Sequence, residues 1–94
     1  MKILILEDEN RAANHLERLL AKVAPDMKVV ARIESVRDGI KYLRINHEPD
    51  LIFSDIQLAD GLSFEIYNLV AVRCPIIFTT AYDHYAIEAF QNNG

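Results

Sequence analysis

An open, mainly parallel β-sheet with helices on both faces is the fold class this sequence predicts. Three observations carry that prediction. Short continuous apolar runs alternate with longer stretches whose apolar residues recur every three or four positions. The apolar runs lack in–out alternation, as expected of strands covered on both faces. The chain has 94 residues, which bounds it to one domain. Strands alternating with helices imply right-handed crossovers and parallel neighbours.

Each element follows in order. Residues 2–6 (Lys2-Ile3-Leu4-Ile5-Leu6) read as a fully buried strand. Asn10 suits the cap of a helix over 11–23, with Ala12, Ala13, Leu16, Leu19, Leu20 and Val23 at helical spacing. Pro25-Asp26 ends it. Val29 to Ile33 reads as a second, more exposed strand. Ser35 with Asp38 three residues on resembles a capping box and opens a helix to about Asn46, with Val36, Ile40, Leu43 and Tyr42 inward. Pro49 precedes a third strand, 51–54. A polar loop from Gln57 to Leu62 contains Gly61, which supplies a turn conformation that other residues resist. Ser63 suits the cap of a short helix over 64–71. Pro75 opens a fourth strand, Ile76 to Thr80, and a last helix is expected from near Asp83, carrying Tyr85, Ile87, Ala89 and Phe90. The flavodoxin-like arrangement of this class then gives a sheet order of 2-1-3-4, with the fourth strand at an edge.

Composition narrows the function. The chain is 51% apolar and 26% charged, with a net charge of −4. That balance excludes an extended nucleic-acid surface on this segment, because phosphate binding requires a basic patch. Cys74 is the single cysteine, so no internal disulfide forms, and a reducing, cytoplasmic setting is expected. No apolar run approaches the ~20 residues of a membrane span.

The chemistry lies at strand ends. The first strand runs straight into Glu7-Asp8-Glu9, and the third into Asp55. In a parallel sheet, neighbouring strands bring their C-terminal ends to one rim, where ligands bind. Glu7, Asp8 and Asp55 are therefore expected in one pocket. Three carboxylates together repel unless protons or a cation offset them. A hard divalent cation such as Mg2+ suits such oxygen ligands, and a carboxylate beside it can attack phosphorus. Taken singly, each group has a plainer explanation. Acids favour the first turn of a helix, aspartate favours turns, and threonine favours strands. Thr79 and Thr80 end the fourth strand, and alternation allows only one of them to face the pocket. His15, His47 and His84 lack metal-ligand spacing. Tyr82, Tyr85 and Phe90 suit either core or a partner-sensing surface near the pocket rim.

Three stretches together resemble a response-regulator receiver domain. They are Ile5 to Glu9, Pro49 to Gly61 and Ile76 to Tyr82, and the resemblance runs through all 94 residues in order. The stretch from Phe78 to Phe90 is most similar to receivers that precede LytTR-type DNA-binding domains. The resemblance implies Asp55 as phosphoacceptor, with Glu7, Asp8 and the backbone carbonyl of Gln57 joining Asp55 as Mg2+ ligands. It implies Thr80, directly before Ala81, as the switch hydroxyl, and Gln57 and Tyr82 at positions that tune dephosphorylation. The phosphodonor would be a histidine kinase, although small phosphodonors also react with the family. The output would be transcription through a DNA-binding domain outside this chain. Ala59 stands where many members have proline. The family's fifth strand, with its lysine and aromatic switch residue, and its final helix are not found within the 94 residues. The chain is accordingly expected to be an incomplete receiver, whose exposed fourth strand needs cover from further residues or from a homodimer.

Two other readings compete with a phosphorylation switch that is not itself a turnover enzyme. One is a receiver fold that docks partners without being phosphorylated. The other is a phosphatase of the haloacid dehalogenase type. That class uses an acid two residues after the nucleophile, and Gln57 at that position is a poor proton carrier.

Overall fold

The computed structural model of the chain describes residues 1–79. Its elements are β1 (Lys2–Leu6), α1 (Asn10–Val23), β2 (Lys28–Ile33), α2 (Val36–Ile45), β3 (Leu51–Asp55), β4 (Gln57–Leu58), β5 (Gly61–Leu62), α3 (Phe64–Leu69) and β6 (Ile76–Thr79). The main sheet runs β2-β1-β3-β6 with every pairing parallel. This is the expected 2-1-3-4 order, β6 being its fourth strand. The helix expected from Asp83 lies outside the described residues.

Period-two alternation sorts the buried side chains to the two faces of the sheet. Leu4, Leu6, Ile33 and Ile52 pack with Val36 of α2 and Ile66 of α3. Ile3, Ile5 and Leu51 pack with Ala13 of α1, and Leu16 and Leu20 join them. Ile3, Leu4, Ile5 and Leu6 are all fully buried, so β1 is the central beam of the fold. Each such side chain contributes about 1.5–3 kcal/mol through removal from water. Ile40, Tyr42 and Leu43 of α2 pack inward as the spacing predicts.

Several local expectations change. Leu19 and Val23 are 44% and 78% exposed, because α1 seats on its Ala13–Leu16–Leu20 line and turns the adjacent line to solvent. Asn10 is the first residue of α1 and Glu9 the cap, without a side-chain capping bond. Ser35 does cap α2, accepting from the Asp38 N–H at 3.1 Å. The Gln57–Leu62 loop closes into a two-stranded antiparallel hairpin, β4 with β5, turning at Ala59-Asp60. Gly61 enables it with φ +150°, where a Cβ would stand 2.8 Å from the Glu65 carboxylate. Ser63 does not cap α3 through its side chain. Its hydroxyl instead donates to the Ile56 carbonyl at 3.3 Å, and its N–H to the same oxygen at 2.9 Å. The serine thus ties the hairpin back to the residue after Asp55.

Candidate functional site

The register of β1 and β3 builds the site. Leu6 pairs with Ser54, so the next residues, Glu7 and Asp55, emerge side by side at the sheet's C-terminal rim. The Glu7 N–H donates to the Ile33 carbonyl at 2.9 Å, which carries the β1–β2 ladder one residue past the strand. The Glu7 carboxylate then accepts from the Glu9 N–H at 3.1 Å, turning the chain into α1. Asp8 sits at the bend, exposed to solvent, while Glu7 is half-buried and Asp55 is 6% exposed.

Carboxylate oxygens of Glu7, Asp8 and Asp55 all lie within 4.8 Å of one another. The three acids expected to meet do meet. Burial pushes the Glu7 carboxyl up to about 7, helped by the charge of Asp55 and hydrogen bonding with Asp8 and Asp55, and opposed by the Glu9 N–H. Burial also raises Asp55, with the charge of Asp8 adding to it. A hydrogen bond with Glu7 and the backbone N–H groups of Ile56 and Gln57 act the other way. Glu7 therefore retains a proton well above the pH at which a free glutamate loses it. A half-buried all-oxygen set that retains a proton for want of positive charge fits a small hard divalent cation.

Gln57 is exposed at the start of β4, two residues beyond Asp55. Thr79 is the register partner of Asp55, and its carbonyl accepts from the Ile56 N–H at 3.3 Å. Paired residues of parallel strands leave the sheet on the same face, so Thr79 shares the face of Asp55. Thr80 and Tyr82 lie outside the described residues, as do Tyr85 and Phe90. His15 and His47 are exposed. Cys74 is half-buried against the core, and burial pushes its thiol up to about 11, which makes it unreactive.

Three supporting residues escaped the sequence reading. Arg32 of β2 donates to Asn14 at 2.8 Å, Glu17 at 3.0 Å and Asn10 at 3.4 Å, clamping the start of α1 behind the acidic turn. Its signal was an arginine in an apolar strand facing polar residues at 10, 14 and 17, one helix face. Asp60 accepts from the first N–H groups of α2. Glu48 accepts from the N–H groups of Arg73 and Cys74, pinning the entry of β6 to that of β3. Neither acid carries a local sequence pattern that names its partner.

Comparison with known proteins agrees with this geometry. The family model described as response regulator receiver domain matches residues 3–94. The sensory transduction protein LytT of Bacillus anthracis is 37% identical over 94 residues, covering 97% of this chain and 37% of that protein. The transcriptional regulatory protein LytR of Staphylococcus aureus is 36% identical, covering 99% of this chain and 38% of that protein. This chain thus spans little more than a third of these curated relatives. Among solved structures, the response regulatory domain of protein mrkE from Klebsiella pneumoniae superposes with a TM-score of 0.75 at 31% identity, covering 100% of this chain and 78% of that one. The MaeR response regulator bound to beryllium trifluoride gives the same TM-score at 22% identity, covering 98% and 76%, a likeness of fold. Among the described residues, no helix is long and apolar enough to cross a membrane. With the parallel 2-1-3-4 sheet and the acidic rim in place, the chain belongs to the response regulator receiver domain family.

Proposed function

We propose that this chain is the phosphorylation-controlled switch of a two-component response regulator, with Asp55 as phosphoacceptor. The observation that carries the reading is the convergence of Glu7, Asp8 and Asp55 within 4.8 Å at the rim of adjacent parallel strands. Glu7, Asp8 and Asp55, with the Gln57 backbone carbonyl, are the residues that would hold Mg2+. Bound there, Mg2+ would supply the positive charge that favours the ionised acids and neutralises phosphoryl oxygens.

The chain's own residues do the rest. Asp55, buried and held by the N–H groups of Ile56 and Gln57, presents a carboxylate oxygen at the rim. That oxygen attacks phosphorus of a phosphohistidine, forming an acyl phosphate as the phosphorus–nitrogen bond breaks and the histidine kinase departs. Asp8 is exposed at the bend, with a carboxylate oxygen within 4.8 Å of those of Glu7 and Asp55. The receiver resemblance assigns Thr80 as the switch hydroxyl that meets the new phosphoryl oxygen. The likeness to a sensory transduction protein, LytT, and a transcriptional regulatory protein, LytR, supports an output in transcription, which we assign to a LytTR-type domain in a cytoplasmic regulator.

The experiment is phosphorylation of the full-length protein by acetyl phosphate with Mg2+, read by mass spectrometry. The expected result is one phosphoryl adduct on the peptide carrying Asp55, abolished in Asp55→Asn and by chelation of the metal. An adduct retained in Asp55→Asn overturns the assignment, and no adduct under any phosphodonor favours a docking module.

A further inference from the structure

The outer side of α2 carries a groove that phosphoryl chemistry does not use. It is open, about 580 Å3 in volume, and lies between α2 and the Asp60–Glu65 segment, on the sheet face opposite α1. Arg37, Lys41 and Arg44 line it at i, i+4 and i+7, which sets them along one side of the helix. Val36, Ile40 and Ile45 supply apolar surface between them, and Ile45 is 69% exposed.

The charges in this groove are unequal in availability. Arg37, Lys41 and Arg44 are all exposed, and among the described residues none takes part in an ion pair. The Asp60 carboxylate is committed to the Val36 and Arg37 N–H groups. Glu65 is exposed at the far side of the groove and is its one carboxylate without a hydrogen bond to the backbone. Three exposed cations against the single free carboxylate of Glu65 leave the balance in the groove positive, on a chain whose net charge is −4. An acidic ligand is repelled by most of this molecule and accepted here.

We propose that the α2 groove is a docking site for an acidic, amphipathic peptide segment of a partner protein. Apolar side chains of that segment fill the space over Ile40 and Ile45, and its carboxylates pair with Arg37, Lys41 and Arg44. Apolar surface between the cations favours a peptide over nucleic acid, which calls for a longer, continuous basic track. A concave site likewise disfavours a flat anionic membrane. The site is separate from the acidic rim and stands whether or not Asp55 is phosphorylated.

The test is a fluorescence-anisotropy screen of the full chain against a library of short acidic peptides bearing Leu, Ile or Phe at helical spacing. Heparin, single-stranded DNA and phosphatidylserine vesicles are run beside it. Saturable peptide binding is expected, weakening with salt as exposed charges are screened. It should fall about tenfold in Lys41→Gln/Arg44→Gln, further in Lys41→Glu/Arg44→Glu, and stay unchanged in Arg18→Glu on the opposite helix. These are exposed positions, and an unchanged circular dichroism spectrum certifies folding. No saturable peptide binding, equal loss in Arg18→Glu, or tighter binding of DNA or vesicles than of any peptide overturns the proposal.

Discussion

Asp60 holds the start of α2 from across the hairpin: its carboxylate accepts from the Val36 N–H at 2.6 Å and the Arg37 N–H at 3.1 Å. The first turn of a helix leaves N–H groups without intrahelical partners, and Asp60 satisfies two of them while Ser35 satisfies a third. Asp60 sits in the turn of the β4–β5 hairpin, five residues after Asp55, so the loop that leaves the acidic rim is fastened to α2. Asp60→Ala should lower the thermal midpoint more than Ser35→Ala, with two capping bonds lost against one. The N–H groups of Val36 and Arg37 hold the Asp60 carboxyl below its usual value. A depressed acid stabilises the fold above its unfolded pKa, and that contribution disappears as pH falls through the folded pKa. The gap between Asp60→Ala and the parent should therefore close in acid, measured by thermal melts across pH.

Glu7 titrates in the opposite sense. Its carboxyl is raised from 4.5 to about 7, and Asp55 is raised with it. The folded state thus binds more protons than the unfolded state between those values. The contribution to stability is fully present below the unfolded pKa and is lost as pH rises through the folded one. Without divalent metal, the urea midpoint should fall between about pH 5 and about pH 8. Glu7→Gln should flatten that slope. Saturating Mg2+ should raise the midpoint most at the alkaline end, where the acids bind it without first losing a proton. A metal-free midpoint that rises across this window would show that the Glu7 carboxyl is not raised.

The main sheet was legible because its strands are fully buried and its helices amphipathic, so two distinct periods appear in one dimension. Glu7, Asp8 and Asp55 were legible for a related reason. Glu7 and Asp8 follow one buried run, Asp55 ends another, and the 2-1-3-4 order makes β1 and β3 neighbours. What could not be read was side-chain commitment across the fold. Ser63 looked like a cap because serine precedes a helix, yet the Ile56 carbonyl lies within reach of its hydroxyl and N–H. Leu19 and Val23 looked inward because the apolar stripe of α1 is wider than the strip of sheet it covers. Arg32, Glu48 and Asp60 each act on residues between 15 and 26 positions away, and nothing local in the chain marks the partner.

Gly39 stands in mid-helix, where glycine costs about 1 kcal/mol relative to alanine. Its justification is close packing. A Cβ there would meet Ile66 Cδ1 at 2.7 Å and Leu6 Cδ2 at 3.1 Å, and both partners are fully buried. Gly39→Val should destabilise the protein by about 1–3 kcal/mol through overpacking between α2, α3 and β1. Gly39→Val/Ile66→Ala should recover part of that loss, because the second change removes the contacting atom. Denaturant titration of the single and double variants measures the coupling.

Thr79 and Thr80 differ in their relation to Asp55. The register pairs Asp55 with Thr79, which places Thr79 on the face of Asp55. The receiver resemblance instead assigns the switch hydroxyl to Thr80, the residue before Ala81. Thr80 lies outside the described residues, so the two assignments are separated by mutation. On the assignment to Thr80, Thr80→Val should leave the yield of phosphorylated Asp55 largely intact. It should also abolish the difference in amide hydrogen exchange between phosphorylated and unphosphorylated protein. Thr79→Val should preserve that difference and cost little stability, valine being well suited to a strand. Loss of the exchange difference in Thr79→Val, with Thr80→Val behaving like the parent, would transfer the role to the residue that the strand register itself sets beside Asp55.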